Sequence, residues 1–180
     1  MSIRSTVVRA LAALLVLGCG DTAAPAPQET ADIAPALDYA TAKGPIREKL
    51  ARLRTRLAPF HRFQAAVDAG WSAEITGCKA DANLGGMGYH YGNQKLIDGT
   101  VSFRDPELLL YEPQADGKLR LVAVEYIVPF DQWKGDKPPR LLGLEFKRNE
   151  TFQLWGLHVW LWRYNPSGRF ADWNPHVHCN

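Results

Sequence analysis

Two stretches decide the fold: KLRLVAVEYIV at residues 118–128 and LWGLHVWLW at 154–162. Each alternates, yet both alternating sets are mostly apolar. A strand with one face in water shows apolar and polar residues in turn; a strand covered on both sides does not. The pattern therefore predicts strands inside a closed barrel, a sandwich, or a sheet with helices on one face. Ala115-Asp116-Gly117 is a turn signal between Tyr111 and Lys118, so residues 107–128 read as a hairpin. Further strand candidates are Gly99–Phe103, Arg140–Phe146 and Phe152–Tyr164, with DQWKGDKPPR (131–140) as a loop.

Upstream the period changes. Ile46, Leu50, Leu53, Leu57 and Phe60 recur at spacings of four, three, four and three, which places them on one helical face. Pro45 suits the first helical turn, where its missing N–H has no intrahelical partner, and Pro59 ends or kinks the helix. FHRFQAAVDAGW (60–71) reads as a second helical segment closed near Gly70. The polar face carries Lys43, Arg47, Lys49, Arg52, Arg54, Arg56 and Arg62 against Glu48 alone. Such a face is either solvated or meets anionic lipid headgroups. The expected class is α+β: N-terminal helices, then a mostly antiparallel sheet, barrel-like or helix-covered, with one disulfide. The globular domain is expected to span 45–180.

Residues 1–18 carry Arg4 and Arg9, then the apolar run ALAALLVLG, and Cys19 follows. A short basic region before about ten apolar residues is a secretory signal, too short for a comfortable membrane span. Val16-Leu17-Gly18-Cys19 resembles the lipobox of bacterial lipoproteins, which implies cleavage before Cys19 and acylation of that cysteine. Two or three acyl chains anchor stably where one does not. Residues 19–44, rich in Ala and Pro without a sustained period, read as a flexible tether. The expected location is the bacterial cell envelope, with the domain facing the periplasm or the exterior and the membrane as partner through the lipid.

The chain has 180 residues, with 21 Lys+Arg and 19 Asp+Glu. Without residues 1–18 basic and acidic residues balance, which argues against a nucleic-acid binder working through bulk positive charge. With Cys19 lipidated, Cys78 and Cys179 remain as an even pair in an oxidising compartment. Their bond would close a loop of about 100 residues, for which chain entropy gives roughly 4.7 kcal/mol of stabilisation. The competing reading is a metal site at HVHC (176–179), since thiolate and imidazole suit copper or zinc.

Three residues carry the functional reading. Glu125 sits mid-strand on the face of Leu121, Ala123 and Ile127, where an ionised carboxylate is costly unless paired or bound to a cation. It faces water, meets an arginine, or faces a pocket. His158 alternates with Trp160, Trp162 and Tyr164, so it is either a satisfied core residue or the polar handle of an aromatic-walled pocket. His90 lies in NLGGMGYHYGN between Tyr89 and Tyr91, a glycine-rich segment that reads as a hairpin-like turn or a close approach to ligand. If His90, Glu125 and His158 converge, they form a first-row metal site (copper, zinc or iron) with open positions, or an acid/base cluster. Tyr89, Tyr91, Trp160 and Trp162 would be the walls. His61 reads as a surface or helix-packing residue.

GMGYHYGN (86–93), LVAVEYIVP (121–129) and HVWLWRYNPSGRFADWNP (158–175) resemble segments of a family of small exported bacterial proteins. The resemblance covers roughly 61–180 and carries no established activity, so it names no substrate. Asn165-Pro166-Ser167-Gly168 reads as a type I turn, and Asp172 and Asn174 as turn caps. Two functions follow: an envelope lipoprotein binding a small ligand or transition metal in an aromatic-lined His/Glu pocket, or a non-catalytic envelope interaction protein with no such site. A serine hydrolase is disfavoured because no GxSxG elbow is present.

Overall fold

The computed structural model describes residues 44–179; the signal segment, Cys19 and all but the last residue of the tether lie outside them. Helix α1 (Gly44–Leu57) is followed by a 3₁₀ turn (Ala58–His61) and a short helix α2 (Phe63–Asp68). The stripe read from the sequence is the buried one: Leu50, Leu53 and Leu57 are in the core, with Ile46 and Phe60 packed against it. Pro59 lies within the 3₁₀ turn that ends α1. Gly70, at φ +108, closes the second segment as expected.

The rest is β: β1 (Ala73–Asp81), β2 (Gly85–Gly92), β3 (Leu108–Pro113), β4 (Leu119–Pro129), the two-residue strands β5 (Arg140–Leu141) and β6 (Leu144–Glu145), β7 (Lys147–Asn149) and β8 (Leu154–Trp160). Six of them form one antiparallel sheet in the order β1-β2-β3-β4-β8-β7. β5 and β6 pair separately as a small hairpin. The fold is α+β, and Cys78 is bonded to Cys179.

Helices cover one sheet face. Val124, Tyr126 and Val128 of β4, with Leu157 and Val159 of β8, share a core with α1. The other face carries Leu108, Leu110, Ala123, Ile127 and Trp160, closed partly by Val177 of the returning C-terminal chain. One cavity on this second face is lined by residues of β1 and of β7, the two edges of the sheet. Opposite edges can share a cavity because the sheet curls into a half-barrel, and this face is its concave side. The sheet thus has the two-sided cover predicted for strands apolar on both faces, and the site sits inside the curl.

Two differences from the sequence reading have clear causes. Gly99–Phe103 is loop rather than strand. The Phe103 carbonyl accepts from the Tyr126 hydroxyl at 2.7 Å and the Arg104 carbonyl from Arg56 Nε at 3.0 Å, so side chains replace a neighbouring strand. Conversely, residues 73–92 form a hairpin, and GGMGYHYG is strand throughout. Its glycines, which weaken strand propensity, are there for close approach. A Cβ at Gly85 would stand 2.2 Å from the Asn174 carbonyl oxygen, and one at Gly86 2.7 Å from that of Val177. The C-terminal segment therefore lies directly against β2, bridged at Gly86 and Asn174.

Candidate metal centre

Glu125 on β4 and His158 on β8 are direct cross-strand partners, and both project to the concave face. His90 reaches the same place from β2, across β3, whose Leu108 pairs with Glu125 and whose Leu110 pairs with His90. Cross-strand neighbours bring Cβ atoms to about 5 Å, and the curl brings in the third residue. Glu125 Oε2 lies 3.6 Å from His90 Nε2, and Oε1 lies 3.4 Å from His158 Nδ1. The imidazoles are edge-to-face with centroids 5.8 Å apart. All three side chains are buried, and one ligand atom from each lies within 4.8 Å of the others.

The surroundings hold this arrangement in place. Thr76 Oγ1 is 2.9 Å from His90 Nδ1, which turns Nε2 toward the carboxylate. Asp172 Oδ1 lies 3.6 Å from His158 Nδ1 and accepts from Lys147 Nζ at 2.8 Å. A Cβ on Gly156 would stand 2.8 Å from Glu125 Oε1, so that glycine makes room for the carboxylate. His158 Nε2 is buried and has no hydrogen-bond partner among the described residues. A satisfied core histidine has both nitrogens partnered; here the described residues partner the Nδ1 side alone. Of the three surroundings considered for Glu125, water, an arginine or a pocket, the structure shows the pocket, with the two imidazoles as its ion contacts among the described residues.

Burial sets the protonation of the metal-free site. It pushes His90 down to about 3, helped by His158 and Lys79, and His158 down to about 3, helped by Lys147. It pushes Glu125 up to about 8, with Asp172 and Glu107 adding like charge. Glu107, a second buried carboxylate whose Oε2 accepts from the Ile127 amide at 3.1 Å, is also raised by burial to about 8. At neutral pH the site therefore holds two neutral imidazoles and a protonated acid, the least costly state for buried groups.

These shifts fix how the metal-free protein responds to pH. Below 6.5 the unfolded histidines take up protons that the folded ones refuse, so stability falls as pH drops toward 3. Above 4.5 the unfolded Glu125 and Glu107 lose protons that the folded ones keep, so stability falls as pH rises toward 8. The metal-free domain should be most stable between those two unfolded values. Urea titrations should show a loss on the order of 2 kcal/mol from about pH 5.5 to about pH 7.5. A steady rise toward pH 8 would contradict this.

The proposed walls are elsewhere. The alternation that turns His90 inward turns Tyr89 and Tyr91 toward the helix side, where Tyr91 meets Phe63 edge-on at 4.6 Å. Trp162 leaves the inner face because the Val122 carbonyl accepts from both Leu161 N and Trp162 N, which breaks the alternation after Trp160. Trp162 then stacks edge-on against His61 at 5.1 Å, which gives His61 its packing role. Trp160 stays on the inner face but is core, its indole N–H donating to the Ala171 carbonyl at 2.7 Å. The aromatic rings that do line the cavity are Phe152 and Trp173.

The sequence reading also passed over Thr76, Lys147, Gly156 and the placement of Asp172. Asn174 caps as expected, accepting from His176 N at 2.9 Å, but Asp172 turns to His158 and Lys147 instead. The HVHC alternative is removed by the Cys78–Cys179 bond. No protein-family model, curated protein or solved structure matches this chain.

Proposed function

We propose that this domain binds one divalent first-row transition-metal ion through His90, Glu125 and His158, and that it does so in the bacterial cell envelope, anchored by lipid at Cys19. The convergence of the three buried side chains carries the first part. Two ligands each about 2.1 Å from an ion and at a tetrahedral angle stand about 3.4 Å apart, and the imidazole–carboxylate gaps are 3.4 and 3.6 Å. Those gaps are long for hydrogen bonds and right for an ion between them. Two imidazoles and one carboxylate suit zinc, copper or iron and leave coordination positions open toward the cavity. The ion replaces the Glu125 proton, so binding releases a proton near neutral pH. Thr76, on the His90 nitrogen opposite the one that faces the carboxylate, fixes that ring's orientation as outer partners of metal-bound histidines do, while Asp172 lies beside the same His158 nitrogen that faces Glu125 and adds a second carboxylate there. The lipobox-like segment and the disulfide support the envelope location.

Elemental mass spectrometry on protein exported to a periplasm tests the metal reading. The wild type should carry near one equivalent of zinc, copper or iron, and His90→Ala, Glu125→Gln and His158→Ala should lose it while keeping a native circular dichroism spectrum. A wild type that stays metal-free after incubation with these ions refutes the reading. Full-length protein should sediment with membranes, and Cys19→Ser should release it. Gly156→Ala gives a graded check: its methyl displaces Glu125 Oε1 and should weaken metal binding about 10- to 100-fold against a chelating dye. Unchanged affinity would mean the carboxylate position does not matter.

A further inference from the structure

The cavity above the triad is chemically lopsided. It measures about 340 Å³, at the lower end of the roughly 300–1,000 Å³ of small-molecule pockets. Its sides are largely aliphatic, including Ile75, Met87, Leu108 and Leu154. Among the described residues, the exposed large apolar side chains are Ile75, Leu84 and Phe152, and two of these three flank this opening. Phe152 is displayed by a fixed turn. Its backbone amide donates to Asn149 Oδ1 at 3.1 Å, Gln153 adopts φ +53, and the Gln153 side-chain Nε2 donates to the Glu150 carbonyl at 2.7 Å. A non-glycine residue in that conformation is uncommon, and the turn that contains it leaves the Phe152 ring exposed.

The charged groups at the opening do not cancel. Lys147 is paired with Asp172, and Arg148 with Glu150. Lys79 of β1 lines the same cavity and has no ion pair among those found in the described residues. A divalent ion on Glu125 leaves a further positive charge at the base. A ligand entering here meets cationic charge from below and from the β1 rim, with hydrocarbon and an aromatic ring along its length.

We propose that the cavity binds a small organic monoanion with an apolar body, such as a medium-chain carboxylate, its head group toward the ion and Lys79 and its tail against Ile75 and Phe152. This rests on the metal reading for the head group but not for the tail.

The probe is octanoate, titrated calorimetrically into protein incubated with zinc, its occupancy measured beforehand, and into metal-free protein. Octanoate should bind the zinc form at least about tenfold more tightly than acetate or octylammonium do. Phe152→Ser and Lys79→Gln should each weaken octanoate about three- to tenfold with zinc occupancy unchanged. Both residues are exposed at the rim, so their loss leaves the fold intact. Equal affinities for octanoate and acetate overturn the apolar half, and equal affinities for octanoate and octylammonium overturn the anionic half. If zinc does not load, the ion reading fails on its own, and octanoate binding to the metal-free form that depends on Phe152 and Lys79 upholds the ligand class. Failure of octanoate to bind either form overturns it.

Discussion

Glu125→Gln is expected to remove metal binding and, at the same time, to make the metal-free protein more stable at alkaline pH. The two effects come from one cause. In the folded, metal-free domain burial raises the Glu125 carboxyl to about 8, so folding near pH 8 holds a proton that the unfolded chain has released. That mismatch opposes folding by on the order of a few kcal/mol. Glutamine has nearly the same shape and no proton to lose, so it removes the mismatch. It also removes the anionic donor that an ion between two neutral imidazoles requires, which should lower metal affinity at least about 100-fold. Urea unfolding near pH 8 without metal, and zinc competition with a chelating dye, give the two readouts. Loss of stability in the variant near pH 8 would show that the folded carboxylate is ionised and stabilised, contrary to its burial. A residue kept for structure alone would not show this gain of stability with loss of binding.

Joint replacement of Cys78 and Cys179 by alanine should cost about 2–5 kcal/mol. The bond spans 101 positions in sequence, near the long-loop end, where the chain-entropy estimate is about 4.7 kcal/mol. It also ties down the chain that carries Asp172 and Trp173 to the cavity. Between Tyr164 and Cys179 that chain is held by Asn165 Nδ2 to the Trp173 carbonyl, Asn174 Nδ2 to the Tyr164 carbonyl and Arg163 to the His176 carbonyl. With those contacts the segment should remain docked in the double variant, so metal affinity should change far less than global stability. Denaturant midpoints of the oxidised wild type and the variant measure this. A difference below about 1 kcal/mol would mean that the unfolded chain gains little freedom when the bond is removed.

The parts of the fold legible in the sequence were those with a strong period and a local signal. The stripe from Ile46 to Phe60 and the doubly apolar strands follow from spacing, and the hairpin at Asp116-Gly117 from its turn residues. The turn at Asn165–Gly168 forms with Gly168 N donating to the Asn165 carbonyl at 3.0 Å. Parity put Glu125 on the face of Ala123 and Ile127 and His158 on that of Trp160, but the strand register that makes the two residues direct partners came from the fold. The same rule, applied to GYHYG, separates His90 from Tyr89 and Tyr91, so the aromatic rim around His90 conflicted with the alternation itself.

What lay beyond the sequence depends on long-range geometry. The break at Val122 decides where Trp162 points, and it arises from one carbonyl accepting two amides of a distant strand. The curl that lets His90 meet residues two and three strands away is a property of the sheet as a whole. Glycines in β2 read as a turn because their reason, the close pass of residues 174–177, lies at the other end of the chain. Thr76 and Asp172 gave no local signal either, since each acts through a histidine that the fold alone brings near.

The measurement that tests the central claim most directly is electron paramagnetic resonance of the protein loaded with one equivalent of copper(II). A site built from His90, Glu125 and His158 predicts superhyperfine structure from two imidazole nitrogens in the wild type, reduced to one nitrogen in His158→Ala and in His90→Ala. A spectrum that neither substitution alters would place the copper elsewhere and contradict the account.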